Sequence, residues 1–465
     1  ANITNGERVT QELVTTGITG IARSDAEQVS TRRDEPAWLR EARLAAWARY
    51  EEMDLPDPYD EEWRRTDVRA MSFDDFKPLS ASSPVKGAAA LPAEIRSAWD
   101  EDAVAGRVFQ HDSDVVHVQL DEGLRARGVI LTDLHTAARE HAELVRKHLY
   151  QAVKQDEWKY LALNAALWSG GCFLYVPRGV EVDLPVQLST GVSTAGLALF
   201  PRTIVIAEQH AKVTLIDETV SGDGGAKGFV SGAVEIFVGD GARVAYYSVN
   251  RWGDSAYNFN TVRAVLGRDA EFLGVTAGIG SKVTKMRIDA EMPQSGARTD
   301  LLGVTFGDGD QHFDYNTLQN HIGDHTSSDL QFKSALTDSA SLVWYGITRI
   351  HPEAGGSEAN QTSRNLFLSE HAKASPIPVL EIEAYDVAKC SHGATAGPVD
   401  EDDLFYLQSR AIPRDVAEQM LVGGFFADVI DRVPNERLRA RIVEAVLRKA
   451  GGGAPAPTFE DVLSA

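Results

Sequence analysis

The sequence predicts a mainly β protein, a β-helix or β-solenoid of stacked short coils set between helical N-terminal and C-terminal regions. Three observations lead there. At Gly171 the apolar period drops from that of a helix to that of a strand, and beyond Asp400 the helical period returns. Between them, a turn-forming or polar residue is followed six times by Ala and a strand-like run: His210-Ala211, Gly241-Ala242, Asp269-Ala270, Gly296-Ala297, Ser339-Ala340 and His371-Ala372. The Ala-to-Ala intervals are 31, 28, 27, 43 and 32 residues. Turns of a β-sandwich also recur, but intervals of this size suit coils of several strands with a small residue at one corner.

Taken in order, residues 1–35 are polar and weakly periodic and read as a loosely held N-terminal arm. Residues 36–166 read as a helical domain. Pro36 suits a first helical turn, and Trp38, Leu39, Leu44, Trp47 and Met53 share a broad apolar face. Leu55-Pro-Asp-Pro-Tyr-Asp breaks that helix, and a second helical region spans about 132–166. Residues 167–395 carry the short strands, among them Cys172-Phe-Leu-Tyr-Val, Thr203-Ile-Val-Ile-Ala and Ala233-Val-Glu-Ile-Phe-Val. Residues 396–450 return to helix, with acidic residues at Asp400–Asp403 suited to a helix N-terminus and Pro413 and Pro434 at helix starts. Residues 451–465 open on Gly-Gly-Gly-Ala-Pro-Ala-Pro and read as a flexible tail.

With 465 residues, 43% hydrophobic and 25% charged, the chain can build two or three sizeable cores. A formal net charge of −22 argues against nucleic acid or an anionic membrane as the main partner. No apolar run approaches the roughly 20 residues that span a bilayer, and the start, Ala-Asn-Ile-Thr-Asn-Gly-Glu-Arg, lacks the basic and apolar regions of a signal peptide. The expectation is a cytoplasmic protein with reduced thiols. Its two cysteines, Cys172 and Cys390, make no disulfide framework.

Few residues suggest chemistry on their own. Gly222-Asp-Gly-Gly-Ala-Lys-Gly lacks the Ser or Thr and the following helix of a P-loop, and reads as a hairpin turn. The acids Glu381, Glu383, Asp308, Asp310 and Asp314 raise a carbohydrate-acting β-helix enzyme as an alternative, yet they do not recur at one coil position. His321 and His325 are four apart, but Gly323-Asp324 indicates a turn, so with His312 they read as hydrogen-bonded loop histidines. Cys172 opens an apolar strand and reads as a buried thiol. Cys390-Ser-His392 differs: an i, i+2 spacing points thiol and imidazole to one side of an extended segment. Lys389 and His392 are expected to lower the Cys390 pKa.

The run Lys389-Cys-Ser-His-Gly-Ala-Thr-Ala-Gly-Pro-Val-Asp-Glu-Asp-Asp-Leu-Phe-Tyr-Leu-Gln-Ser-Arg-Ala-Ile resembles the C-terminal signature of the SufB/SufD family of iron–sulfur cluster assembly proteins. Trp168-Ser-Gly-Gly-Cys-Phe-Leu-Tyr-Val-Pro-Arg-Gly-Val, Asn360-Gln-Thr-Ser-Arg-Asn-Leu and Pro376-Ile-Pro-Val-Leu-Glu-Ile resemble it too. Cys-Ser-His-Gly-Ala-Thr looks like the SufD form, and Leu407 stands where SufB typically has a cysteine.

The resemblance implies a right-handed parallel β-helix and a complex with a SufC-like ATPase and a SufB-like subunit, or a second identical chain. It implies ATPase docking on about 400–432, through Leu404, Phe405, Tyr406, Val416, Met420, Leu421, Phe425 and Phe426. It places cluster assembly at His392 with Cys390 beside it, at a subunit junction. A cluster needs about four protein ligands, so this chain alone is expected to hold no tightly bound cofactor and to share a transient iron–sulfur cluster with its partner. The missing P-loop leaves nucleotide hydrolysis to another subunit, and a purely structural, gating role without cluster ligands is the second reading.

Overall fold

A computed structural model describes residues 20–66, 68, 76–79, 103–221, 227–433 and 435–451. The expected tail lies outside these residues from position 452 onward, as do positions 1–19 of the expected arm. The glycine-rich segment at 222–226 also lies outside them, but its flanking strands, Lys212–Ser221 and Gly228–Val238, fall in different sheets, where a hairpin would place them in one.

The chain winds a parallel β-solenoid of two facing sheets, with successive strands alternating between them. One sheet runs from Val186–Val192 through Lys212–Ser221, Arg243–Arg251, Glu271–Gly278, Arg298–Gly307, Ser327–Leu336 and Glu358–Phe367 to Lys389–Pro398. The other runs from Cys172–Val176 through Arg202–Ala207, Gly228–Val238, Ala256–Leu266, Val283–Met292, His312–His321 and Ser341–Ile350 to Lys373–Ile382. Several strands are buried on both faces, and of these Arg202–Ala207 and Gly228–Val238 read as largely apolar runs. Val213, Leu215, Val244, Phe272, Leu301, Leu330 and Trp344 belong to the core cluster between the sheets.

The Ala repeats mark corners. His210, Gly241, Asp269, Gly296, His325 and Gly356 all have positive φ, between 52° and 72°, and each backbone N–H donates to a carbonyl of the next coil. The irregular interval of 43 arises because Ala297 and Ala340 mark different corners, one preceding each sheet. At the first corner the next two positions are Thr326 and Ser357, whose hydroxyls hydrogen-bond to each other at 2.8 Å.

Helices cover the outer face of each sheet. Leu134, Tyr160 and Leu163 pack with Phe173, Ile204, Phe229 and Phe259 on one side. Val422, Phe426, Val429, Leu438 and Ile442 pack with Leu302, Val304 and Phe306 on the other. Arg202 and Glu235, both fully buried, fasten the first layer: Arg202 Nη2 donates to Glu235 Oε1 at 2.7 Å and to Val153 O at 2.7 Å.

Three expectations change. Part of the supposed arm is the helix Arg23–Arg32, with Ala26 and Val29 buried. The stretch 36–166 is not all helical, since Gly106–His111 and Asp114–Leu120 are strands and the first pairs in parallel with Val186–Val192. Gly106–His111 is buried along its whole length, so no alternation advertised it. The region at 132–166 is a short strand, Ile130–Asp133, and then three helices, Leu134–Glu140, Ala142–His148 and Lys159–Leu167. Asp133 ends the strand and caps the first helix by accepting from Thr136 N–H at 2.9 Å.

Candidate functional site at the open end of the solenoid

Among the described residues the solenoid closes at one end only. At its N-terminal end, Asp114–Leu120 and Ile130–Asp133 pair antiparallel with the first strand of each sheet path and interrupt the parallel stacking. At its C-terminal end the last strands are Lys373–Ile382 and Lys389–Pro398, and no described strand pairs with their outer edges.

The two edges differ. Lys373 N–H donates to Ala340 O at 3.1 Å and Glu383 N–H to Ile350 O at 2.8 Å, so odd-numbered backbone groups of this strand face the coil below. Even-numbered groups face the open side, and there Pro376 and Pro378 have no N–H. On the other strand Lys389 N–H donates to Ser357 O at 3.4 Å and Val399 N–H to Phe367 O at 3.1 Å. By the same parity the backbone N–H groups of Cys390, His392, Ala394 and Ala396 face the open side.

Cys390 and His392 therefore share one strand and one face, as their spacing predicts. They stack in register on Ala359 and Gln361, which face the lumen. His392 is exposed and Cys390 half-buried against Ile350, Ala354 and Ala359. The expected lowering of the Cys390 pKa is not found: burial raises it. Lys389 alternates to the opposite face, so its charge does not offset the desolvation. Cys172 lies fully buried at the far end of the solenoid, and burial pushes its thiol up strongly.

Beneath the open end the lumen turns polar, which the sequence reading did not register. Gln319 Nε2 donates to Ser328 Oγ at 2.7 Å and Thr348 Oγ1 donates to Gln319 Oε1 at 3.0 Å. His321 lies on a strand rather than in a loop, its Nδ1 and Nε2 each 2.8 Å from a hydroxyl, of Thr326 and Ser328, and burial lowers its pKa to about 4. His312 also opens a strand and contacts Thr66 and Ser341, while His325 sits at a corner. Strand parity could have revealed this interior: Phe313, Tyr315, Thr317, Gln319 and His321 alternate on one face.

The acidic residues do not converge. Glu381 binds Arg349 at 2.5 Å, Asp308 binds Lys449 at 2.7 Å, and Asp314 binds Lys285 at 2.9 Å, so each of these three acids is engaged by a separate basic side chain. Among the described residues no three of His, Cys, Asp and Glu gather as a metal site. On the edge strand Lys389–Pro398 the soft or borderline donors are the Cys390 thiol and the His392 imidazole.

The C-terminal helices Glu401–Gln408, Arg414–Ile430 and Glu436–Ala450 split the residues expected to dock an ATPase. Leu404 and Phe426 are buried within this chain, and Phe426 belongs to the apolar cluster that joins the helices to the solenoid. Phe405, Tyr406 and Met420 are exposed, at 72%, 57% and 37%. Val416, Leu421 and Phe425 are half-buried, and Phe425 lies under Lys333 Nζ at 4.8 Å. Among the described residues no helix is long and apolar enough to cross a membrane.

Comparison with known proteins agrees with this architecture. Residues 24–188 match the SufBD protein N-terminal region and residues 190–425 match the SufBD core domain of SUF system FeS cluster assembly. The chain is 32% identical to the iron–sulfur cluster assembly protein SufD of Bacillus subtilis over 424 residues, 90% of this chain and 96% of that one. It is 28% identical to SufB of the same organism over 429 residues, 90% of each chain. A SufBD family protein of Staphylococcus saprophyticus matches at 28% with the same coverage. The chain therefore belongs to the SufBD family of iron–sulfur cluster assembly proteins.

Proposed function

We propose that this chain is a non-enzymatic scaffold subunit whose open solenoid end pairs with a SufB-like chain, or a second copy of itself, around a transient iron–sulfur cluster. The observation that carries this reading is the pairing of His392 and Cys390 on the unpaired edge of the last coil. Two side chains supply half of the roughly four ligands a cluster needs, and a partner meeting the same edge supplies the rest. The cluster is cargo. Cys390, held as a thiol by burial, gives up its proton on meeting iron, whereas exposed His392 binds through a neutral ring nitrogen.

Phe405, Tyr406 and Met420 support docking of a SufC-like ATPase on the outer side of the C-terminal helices. Those helices rest on the sheet that ends in Lys389–Pro398, through Lys333–Asp428 at 2.5 Å and Arg432–Asp329 at 2.8 Å. Motion of the ATPase would thereby reach the open end through one rigid sheet. The setting is a cytoplasmic one.

The test is co-expression with the SufB-like and SufC-like subunits, anaerobic purification, and iron and sulfide analysis. His392→Ala is expected to cut cluster content at least tenfold with the complex intact, and Cys390→Ala to cut it less. Normal content in both variants, with assembly lost in Phe405→Ala/Tyr406→Ala, would instead support a purely structural subunit.

A further inference from the structure

The lumen contains one residue that scaffolding does not explain. On the strand Lys212–Ser221, Val213 and Leu215 face inward, and the same parity turns Asp217 inward, stacked between Leu188 and Ser248. Other described lumen positions in the neighbouring coils are apolar or neutral polar, so Asp217 is the one carboxylate there. Its Oδ2 accepts from the Tyr246 hydroxyl at 2.7 Å, and no described basic side chain acts on it. Beside it lies a cavity of about 30 Å³, room for one or two particles the size of water.

The walls of this cavity are rich in neutral oxygens, from Thr190, Thr219, Ser248, Asn250 and Asn260. Gly232 keeps the space open, since a Cβ there would stand 2.1 Å from Asn260 Oδ1. Trp252 also lines it, with a buried indole N–H that has no partner. Asp217 is half-buried and lines the cavity, and a carboxylate held in the lumen without a basic partner is costly unless a proton or a cation neutralises it. Burial raises Asp217 to about 6, so the carboxylate is the main form above neutral pH.

We propose that this cavity binds a single monovalent cation, Na⁺ or K⁺, on Asp217 and the surrounding neutral oxygens. One carboxylate balances one positive charge, whereas a divalent ion would stay half-compensated in a neutral lumen. A hard cation takes oxygen ligands, and the walls supply them. A water completing its shell accepts the Trp252 N–H. The site ties strands of both sheets together across the lumen, and it stands apart from the open end and from any partner.

Thermal unfolding of the full chain at pH 8, in sodium, potassium or choline chloride at one ionic strength, gives the first test. Sodium or potassium is expected to raise the midpoint by about 2 °C over choline, and Asp217→Asn to abolish the difference. Thallium(I)-soaked crystals of the unaltered chain give the second, with an anomalous peak expected within bonding distance of Asp217. A salt preference that persists in Asp217→Asn, or the absence of a thallium peak at Asp217, overturns the proposal. Cluster content of the assembled complex is a separate readout, so failure here leaves the scaffold reading standing.

Discussion

The N-terminal end of the solenoid is finished within the chain, and the C-terminal end is not. At the first, antiparallel strands interrupt the parallel stacking and helices bury the outer faces, with ion pairs such as Arg202–Glu235 and Arg43–Glu35 fully enclosed. At the second, the last two strands leave side chains half-buried or exposed and one edge rich in free N–H groups. A finished end contributes stability to the monomer. An unfinished one leaves its edge groups unpaired by any described strand, and Cys390 and His392 lie on it.

The largest expected effect lies at the closed end. Glu235→Ala leaves Arg202 buried without its partner and is expected to cost about 3–5 kcal/mol in denaturant unfolding, whereas Glu381→Ala, at the half-exposed pair with Arg349, costs about 1 kcal/mol or less. Similar losses at both sites would break the contrast.

The polar lumen beneath the open end makes the second test. His321 is held near 4, below its ordinary 6.5. Below 6.5 the unfolded chain takes up the proton and the folded one does not, so its contribution is complete above that pH and is lost as pH falls toward 4. The loss approaches about 3 kcal/mol for one such group. Urea unfolding between pH 7 and pH 4 should therefore show a shallower fall in His321→Gln.

Third, Pro376→Ala with Pro378→Ala restores two donors to the blocked edge. The variant is expected to assemble into larger or more heterogeneous species by light scattering, with monomer stability changed by about 1 kcal/mol or less. An unchanged mass distribution would show that the prolines do not limit pairing.

The smallest effect is a difference in thiol reactivity. Both thiols are raised, so alkylation of Cys390 should be slow at pH 7 and accelerate with alkaline pH, while Cys172 reacts only on unfolding. Intact-mass analysis across pH reads both, and fast reaction of Cys390 at pH 7 would restore the thiolate that its basic neighbours suggested.

Much of this was legible in the sequence. The switch of period at Gly171, the corner repeats and the helices after Asp400 are local signals, fixed by side-chain spacing and turn chemistry, and the i, i+2 placement of Cys390 and His392 follows from strand geometry alone. Strands at Gly106–His111 were not legible, because a segment buried on both faces loses its alternation. Nor was the fate of Leu404 and Phe426, since an apolar helix face does not say whether its own solenoid or another chain will cover it. The sequence by itself determined the coil, its corners and the shared face of the ligand pair. Only the tertiary structure decided which end was closed, how far Cys390 was covered and which acid faced the lumen, because burial and edge pairing depend on neighbours dozens to hundreds of residues away.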